Sequence, residues 1–463
     1  MKAKCYRKFI LMIILLSSFS FLSTILFEQT VELYKAQAQQ PVQQLQKQPS
    51  NAVKQNCITY DYYTRQILIS CPYSAATSAK TSTSAKTSAP VTLTDIYNQL
   101  NNPSVLSKEQ PQPQQLQQKG AIWLLNASIV IGKGSALNID NRDTLWLKIL
   151  TDEKTNNVNA IIVHGSLNID NVKVTSWNPV TNNYAQTNSS REIGNDIAER
   201  CRDNCSDAIK SKLAHVGTPR PYITIEENAT GSTNITNSEI AYLGYEGGYG
   251  GIKSSGLHYA GGDNSTIKNN DISHLYFGFY SAGVGNILIE NNKIHDSGHY
   301  GIDPHTGTHD MVIRNNTVYN NNGTGIICSL NCYKILYENN NVFNNNGAGI
   351  DFSRNTTQSI ARGNFIHDQT NPIVLDESSN NEVYDNKIVN SNTSGITLTD
   401  DSSANKVYNN TIQNTKSGIT IRNQKGENTV IGNFVYSNQI INPLSKAIVA
   451  NSNVTKTNMI EKQ

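Results

Sequence analysis

The chain predicts an all-β fold: a right-handed parallel β-helix, a solenoid of 22–24 residues per coil, with a small helical insertion. Three observations predict it. An Asn followed two residues later by Ile or Val recurs at Asn270, Asn292, Asn316, Asn340, Asn364, Asn386, Asn410 and Asn433, in steps of 22 to 24 residues. A Gly before an apolar or aromatic residue keeps the same rhythm at Gly278, Gly301, Gly325, Gly349, Gly395 and Gly418, with Pro372 in the one missing place. Between these markers lie strand-length runs rich in Ile and Val. Such a period is one unit that cannot bury its apolar face alone and stacks on its neighbours. A leucine-rich repeat has a similar period but needs a Leu-x-x-Leu-x-Leu pattern, which the sequence lacks.

Taken from the N-terminus, residues 1–30 read as a signal peptide or N-terminal membrane anchor. Lys2, Lys4, Arg7 and Lys8 precede an apolar stretch from Phe9 to Phe27 that is long for a cleaved signal. Residues 31–119 read as a low-complexity linker rich in Gln, Ser and Thr, with a disulfide hairpin at 57–71 and one short helix over Thr92–Leu100 capped by Thr94. Short β-rich runs start at Ala121, and the β-helix is expected over 120–445. Ile193–His215 reads as an amphipathic helix inserted on the outside, and 446–463 as a C-terminal tail.

Past the signal there are six cysteines in three local pairs: Cys57 and Cys71, Cys201 and Cys205, Cys328 and Cys332. An even count in an exported chain favours disulfides. The two C-x-x-x-C pairs admit zinc, but no His follows at finger-like spacing. The formal net charge is +2 and only 16% of residues are charged, which excludes a nucleic-acid footprint. Recurrent Asn-x-Ser/Thr sequons, among them Asn126, Asn234 and Asn355, suit a secreted, cell-surface or periplasmic protein. No cofactor or metal is expected, and nothing in the sequence supports a Ca²⁺ site. A monomer is expected.

The repeat supplies coordinates. Two residues beyond each marker Gly stand Tyr280, Asp303, Ile327, Asp351, Val374, Thr397 and Thr420. Four beyond stand Ala282, His305, Ser329, Ser353, Asp376, Thr399 and Arg422, and five beyond stand Gly283, Thr306, Leu330, Arg354, Glu377, Asp400 and Asn423. Positions two and four share a strand face. Asp303, His305, Asp351, Arg354 and Asp376 therefore cluster on one outer surface. His299, Asp303, His305 and His309 also fall within eleven residues of a chain with nine histidines. One exposed His on a polar outer face ordinarily means nothing; a rigid Asp-Pro-His beside Tyr300 points to chemistry.

Tyr300-Gly-Ile-Asp-Pro-His305 resembles the Asp-Pro-His-Asp signature of the periplasmic mannuronan C-5 epimerases, which act on alginate. Val174-Thr-Ser-Trp177, Ile240-Ala-Tyr-Leu-Gly-Tyr245, Phe277-Gly-Phe-Tyr280 and Ser394-Gly-Ile-Thr-Leu398 resemble further segments of that family, in order, over roughly Ile122 to Asn433. The resemblance implies a right-handed parallel β-helix, an acidic polysaccharide as partner, His305 as the base and Asp303 as its orienting carboxylate. Two positions depart from the family pattern. Thr306 stands where the motif has its second aspartate, and Leu330 where an arginine neutralises the substrate carboxylate.

The expected reaction is C-5 epimerisation of a uronate: a cation at the carboxylate, a base at H5 and a donor returning the proton. The catalytic candidates are His305, Asp303 and Tyr300, with Tyr300 or a water as proton donor. Arg354, Lys334, Asp351, Asp376 and His309 are the substrate-binding candidates, Arg354 and Lys334 replacing the missing arginine. The alternatives are a lyase, if the 4-O bond breaks, and a glycoside hydrolase, for which Asp303 and Asp351 have suitable spacing. Further alternatives are a non-catalytic carbohydrate-binding surface protein and a copper-loading accessory protein; the latter is disfavoured by only four Met.

Overall fold

From Phe277 onward the chain passes through three short strands and returns to its starting face every 22 to 29 residues. The computed structural model describes residues 56–73, 89–109, 120–152, 157–187, 219–246, 252–423 and 430–461. The coil around the Asp-Pro-His segment is representative. Strand Ile302–His305 lies on face 1, Val312–Arg314 on face 2 and Thr317–Tyr319 on face 3, and the chain then re-enters face 1 at Ile326–Ser329. Each strand pairs in parallel with its equivalent one coil on. Face 2 alone is a sheet of 12 strands stacked in coil order.

Alternation along each strand sends every second side chain inward. On face 1, Phe279, Ile302, Ile326, Ile350, Ile373, Ile396 and Ile419 are register partners, and all are fully buried. Cys328, Phe352, Leu375, Leu398 and Ile421 form the next inward column. Burying each such side chain contributes about 1.5–3 kcal/mol. The outward residues between them are the columns derived from the Gly spacing. Tyr280 pairs with Asp303, Ile327 with Asp351, Ala282 with His305, and Ser353 with Asp376.

The Asn-Asn pairs divide two tasks. The first Asn makes the corner in the left-handed region, as at Asn269, Asn291, Asn315, Asn339 and Asn409, all with φ between 53° and 58°. The second builds the ladder. Asn340 is buried; its Nδ2 donates to Asn364 Oδ1 at 3.0 Å and to the Ile313 carbonyl at 2.9 Å, while its Oδ1 accepts from the backbone N and Nδ2 of Asn316. This column runs from Asn270 through Asn410 and then to Asn438. Asn433, expected on it, belongs to a second ladder, Asn381–Asn405–Asn433–Asn458, one corner earlier in the coil. A longer connection between Arg422 and Phe434 shifts the register there, and the Asn-x-Val match at Asn433 masked the change.

The solenoid is longer than 120–445. Hairpin strands Ile58–Asp61 and Gln66–Ile69 are antiparallel, and the second continues the face 1 ladder beside Ser128–Ile131. Helix Leu93–Leu100 buries Leu93 and Ile96 against the first coils, and Leu106–Glu109 pairs with Ala121–Leu125. Its N-cap is Thr92, not Thr94: Thr92 and Asp95 form a reciprocal capping box. These residues cover the apolar end of the stack, a need that composition alone does not announce. At the other end Ile448–Ala450 and Met459–Ile460 add strands, and a short helix Ser452–Thr457 buries Val454, so 446–461 is part of the fold.

Disulfides join Cys57 to Cys71 and Cys328 to Cys332. Cys201, Cys205, the helix expected at 193–215 and segment 1–30 lie outside the described residues. Among the described residues no helix is long and apolar enough to cross a membrane, and no group of three His, Cys, Asp or Glu is placed to hold a metal ion.

Candidate active site

The site is built where face 1 turns its corner. In successive coils the corner residue has positive φ: Gly283 at 68°, Thr306 at 42°, Leu330 at 69°, Arg354 at 51° and Glu377 at 49°. For Thr and Leu this conformation carries strain, held by the ladder on either side. It swings side chains at the strand ends over the outer face. The Cys328–Cys332 disulfide spans one of these corners from the inside, tying strand Ile326–Ser329 to the residues beyond Leu330.

His305 ends its strand. Its Nδ1 meets Thr306 Oγ1, and its Nε2 lies 3.3 Å from Arg354 Nη2. A guanidinium only donates, so Nε2 presents its lone pair and Nδ1 carries the proton toward Thr306. Burial, and then the Arg354 charge, push the imidazole down to about 4, so it is neutral and able to accept a proton at neutral pH. Tyr280, one coil back, stacks on it at 5.5 Å, and His258 stacks on Tyr280 at 5.5 Å.

Arg354 departs most from what its position suggests. It occupies the corner one coil beyond Leu330, yet its guanidinium folds back by one coil. Nε donates to Ser329 Oγ at 3.0 Å, Nη2 also reaches that hydroxyl, and Nη2 ends beside His305. The cation thus stands over the coil of Leu330, where the strand offers Ser329 and no charge.

Asp303 is 2% exposed and its Oδ1 has no hydrogen-bond partner. Burial raises its pKa well above the usual carboxylate range, against the pull of Arg354 and with a smaller push from Asp351. Asp351, two coils on in the same column, is raised to about 7 by burial and then by the Asp376 charge. Its Oδ1 is likewise closed off and without a partner. Asp351 and Asp376 line an open depression of about 400 Å³ with Thr397, Thr399, Asp400 and Arg422.

The fold thus brings Asp303, His305, Arg354, Asp351 and Asp376 to one surface. It does not bring the other candidates there. Tyr300 lies five residues before His305, about 16 Å along an extended chain, packed with Phe277 and His299. His309 and Lys334 lie past the corner, His309 on a column of bridges running Gly285–His309–Tyr333–Thr357 between faces 1 and 2, and Lys334 next to Tyr333 of that column. His309 contacts Asp310 at 2.9 Å and stacks on Tyr333 at 4.9 Å, and Lys334 lies 3.8 Å from Asp310. The positive φ at Thr306 and Leu330 rotates the succeeding residues off the face, which residue counting does not reveal. Tyr280, His258 and Ser329 were missed as members of the site. Tyr280 and Ser329 already stood in the outward columns beside Asp303 and His305.

A family model described as a right handed beta helix region matches residues 223–361 and 327–461, together 239 of 463 residues. No curated protein matches the chain. Among solved structures, a periplasmic alginate epimerase, AlgG, superposes with a TM-score of 0.60 at 20% identity, over 81% of this chain and 84% of that one. A mutant of the same epimerase gives 0.57 at 20% identity, over 80% and 84%. The catalytic domain of a GH87 α-1,3-glucanase overlaps with a TM-score of 0.43 at 12% identity, over 69% of this chain and 64% of that domain. At 20% identity the likeness to the epimerase is one of fold, and the family match, which spans more than half of the chain, shows that the chain belongs to the right-handed β-helix family.

Proposed function

We propose that the chain is an exported, monomeric enzyme that acts on a uronate-containing polysaccharide and abstracts H5 of the uronate, giving C-5 epimerisation. The observation that carries this reading is the pairing of Arg354 with an unprotonated His305 Nε2 at 3.3 Å. H5 becomes acidic only when the adjacent carboxylate is neutralised, so cation and base must share one ring of the substrate. Here they are in contact before substrate arrives. A bound carboxylate draws the guanidinium to itself and frees Nε2. It also cancels the charge that holds the imidazole down, so the substrate strengthens its own base. Asp303, two residues earlier on the same strand, is pushed by burial well above the usual carboxylate range, which lessens the negative charge beside the base. The proton returned to C5 comes from solvent in the open groove, since Tyr300 stands at the far end of the strand. The alginate epimerase whose fold this chain shares supports a polyuronate as the substrate class. The second reading is a lyase: the same carbanion, with the 4-O bond broken before reprotonation.

Exchange with solvent decides the matter. Wild-type protein incubated with polyuronates in D₂O should place deuterium at C5 with inversion, and His305→Ala should abolish it while sugar binding survives. New ultraviolet absorbance from an unsaturated product would assign the lyase instead. Undiminished exchange in His305→Ala would end both.

A further inference from the structure

We propose that Thr306 is a positioning residue for the base: its hydroxyl, backed by Tyr280, keeps the ring proton of His305 on Nδ1 and so leaves Nε2 free to take H5. The inference rests on the reading of His305 as the base. It deepens that reading by naming what holds the base in its working form once Arg354 has left it for the substrate.

Thr306 has φ of 42°, in the left-handed region. Most of the described non-glycine residues with positive φ are Asn or Asp, and Thr306 is the only β-branched one among them. A branched Cβ is costly to hold there. Glycine fits the same corner, as Gly283 does one coil earlier at 68°. The Thr306 side chain is exposed, so burial of its methyl group does not offset the strain. Strain kept where a cheaper residue fits points to a use for the side chain.

That use lies at the hydroxyl, which stands between two rings. His305 Nδ1 meets Thr306 Oγ1. Tyr280, stacked on the imidazole at 5.5 Å, turns its own hydroxyl to Thr306. This hydrogen bond lowers the pKa of the phenol against a larger push from burial, the sign of a proton given to the phenol oxygen. With its one proton on Tyr280, Thr306 has only lone pairs for Nδ1, and Nδ1 must be the donor. The backbone on both sides of the pair is fixed. Thr306 N donates to the Ser329 carbonyl at 3.0 Å, and the His305 carbonyl accepts from Thr308 N at 3.2 Å and Thr308 Oγ1 at 2.8 Å.

The place of the proton decides the chemistry. Which imidazole nitrogen carries it follows from the hydrogen bond that the other makes. Without substrate two groups make that choice, Arg354 at Nε2 and Thr306 at Nδ1. A substrate carboxylate removes the first. A neutral imidazole alone in water favours the proton on Nε2, where it would block abstraction of H5. Thr306 remains to prevent this.

Nitrogen-15 spectra of the full chain at about pH 7, where the ring is neutral, read the tautomer directly. His305→Gln assigns the signals. The wild type should carry the proton on Nδ1. Thr306→Gly should give a mixture with the Nε2–H form, Tyr280→Phe should do so in part while keeping the ring stack, and Thr306→Ser should hold the wild-type tautomer. Thr306→Gly should also lower kcat for deuterium entry at C5 about fivefold or more, what one neutral hydrogen bond supplies. It should melt no lower than the wild type, because glycine relieves the corner. A wild-type proton on Nε2, or an unmoved tautomer in Thr306→Gly, would overturn the inference. The base assignment stands or falls separately. Full exchange by Thr306→Gly would sink the role of Thr306 and leave the base. A tautomer loosened in Thr306→Gly, with no deuterium at C5 even in the wild type, would sink the base and leave the hold of Thr306 on the proton.

Discussion

Replacing Arg354 by Gln should release His305 by about one pKa unit in the free protein. The imidazole sits at about 4, against an ordinary value of 6.5, with burial the larger cause and the guanidinium the smaller. The smaller share of a gap of about 2.5 units is at most about 1.2. The assay is a titration of the imidazole ring signals between about pH 3 and pH 8, with His305→Gln used to assign its resonance among the nine histidines. The wild-type midpoint should lie near 4 and that of Arg354→Gln near 5. Uronate oligosaccharide added to the wild type should shift the midpoint the same way. A wild-type midpoint in the ordinary range, or no movement in Arg354→Gln, would mean that cation and base do not share a site. The reasoning from their contact would then fail.

The remaining predictions concern the scaffold and the groove. Asn340→Ala should cost about 3 kcal/mol or more in chemical denaturation, because both donors of Asn316 and the Ile313 carbonyl lose buried partners; a loss near zero would refute the ladder as a stabilising device. Asp351, raised to about 7 by burial, keeps in the folded state a proton that the unfolded chain releases above its ordinary 3.8, so stability falls as pH rises between those values. Thermal melts should show Asp351→Asn more stable than wild type at pH ~8 and no different at pH ~4; equal slopes would contradict this. Ile326→Asp places an unpaired charge in the face 1 column and should leave no cooperative melt. Finally, Leu330→Arg introduced into Arg354→Ala should recover C5 exchange that Arg354→Ala has lost, since position 330 adjoins Ser329, where the Arg354 guanidinium lies; no recovery would show that the cation acts from Arg354's position alone.

Much of the fold was legible because a solenoid writes its register into its period. The spacing of Gly301, Gly325 and Gly349 was enough to pair Ile327 with Asp351, as the strands do. What periodicity cannot express was lost. The ends of the stack are not repeats, so Leu93, Ile96 and Val454 gave no signal of burial before the coils they cover were known. The ladder passed to Asn438 because the last connection is longer and two asparagines competed for one motif. In the site, Asp303 and His305 could be placed by counting, as strand residues can. His309 and Lys334 could not, because a positive φ intervenes and redirects the chain. Arg354 stood among the candidates by its column, but what brings it to His305 is a side-chain path back across one coil, which a count of residues does not contain.

That path has a consequence for how such molecules change. On a solenoid every surface position is a cell in a grid, with coil number along one direction and column along the other. Adjacent cells in a column lie about 4.8 Å apart, within the span of an extended Arg side chain. A guanidinium can therefore reach the neighbouring cell, as that of Arg354 reaches Ser329, while that cell's own corner is apolar, as Leu330 is. Function can drift along a column one coil at a time while the core and the ladders stay fixed. Alignment by sequence position registers such a step as the loss of an essential residue. Comparison by grid cell, allowing for side-chain length, registers it as a move.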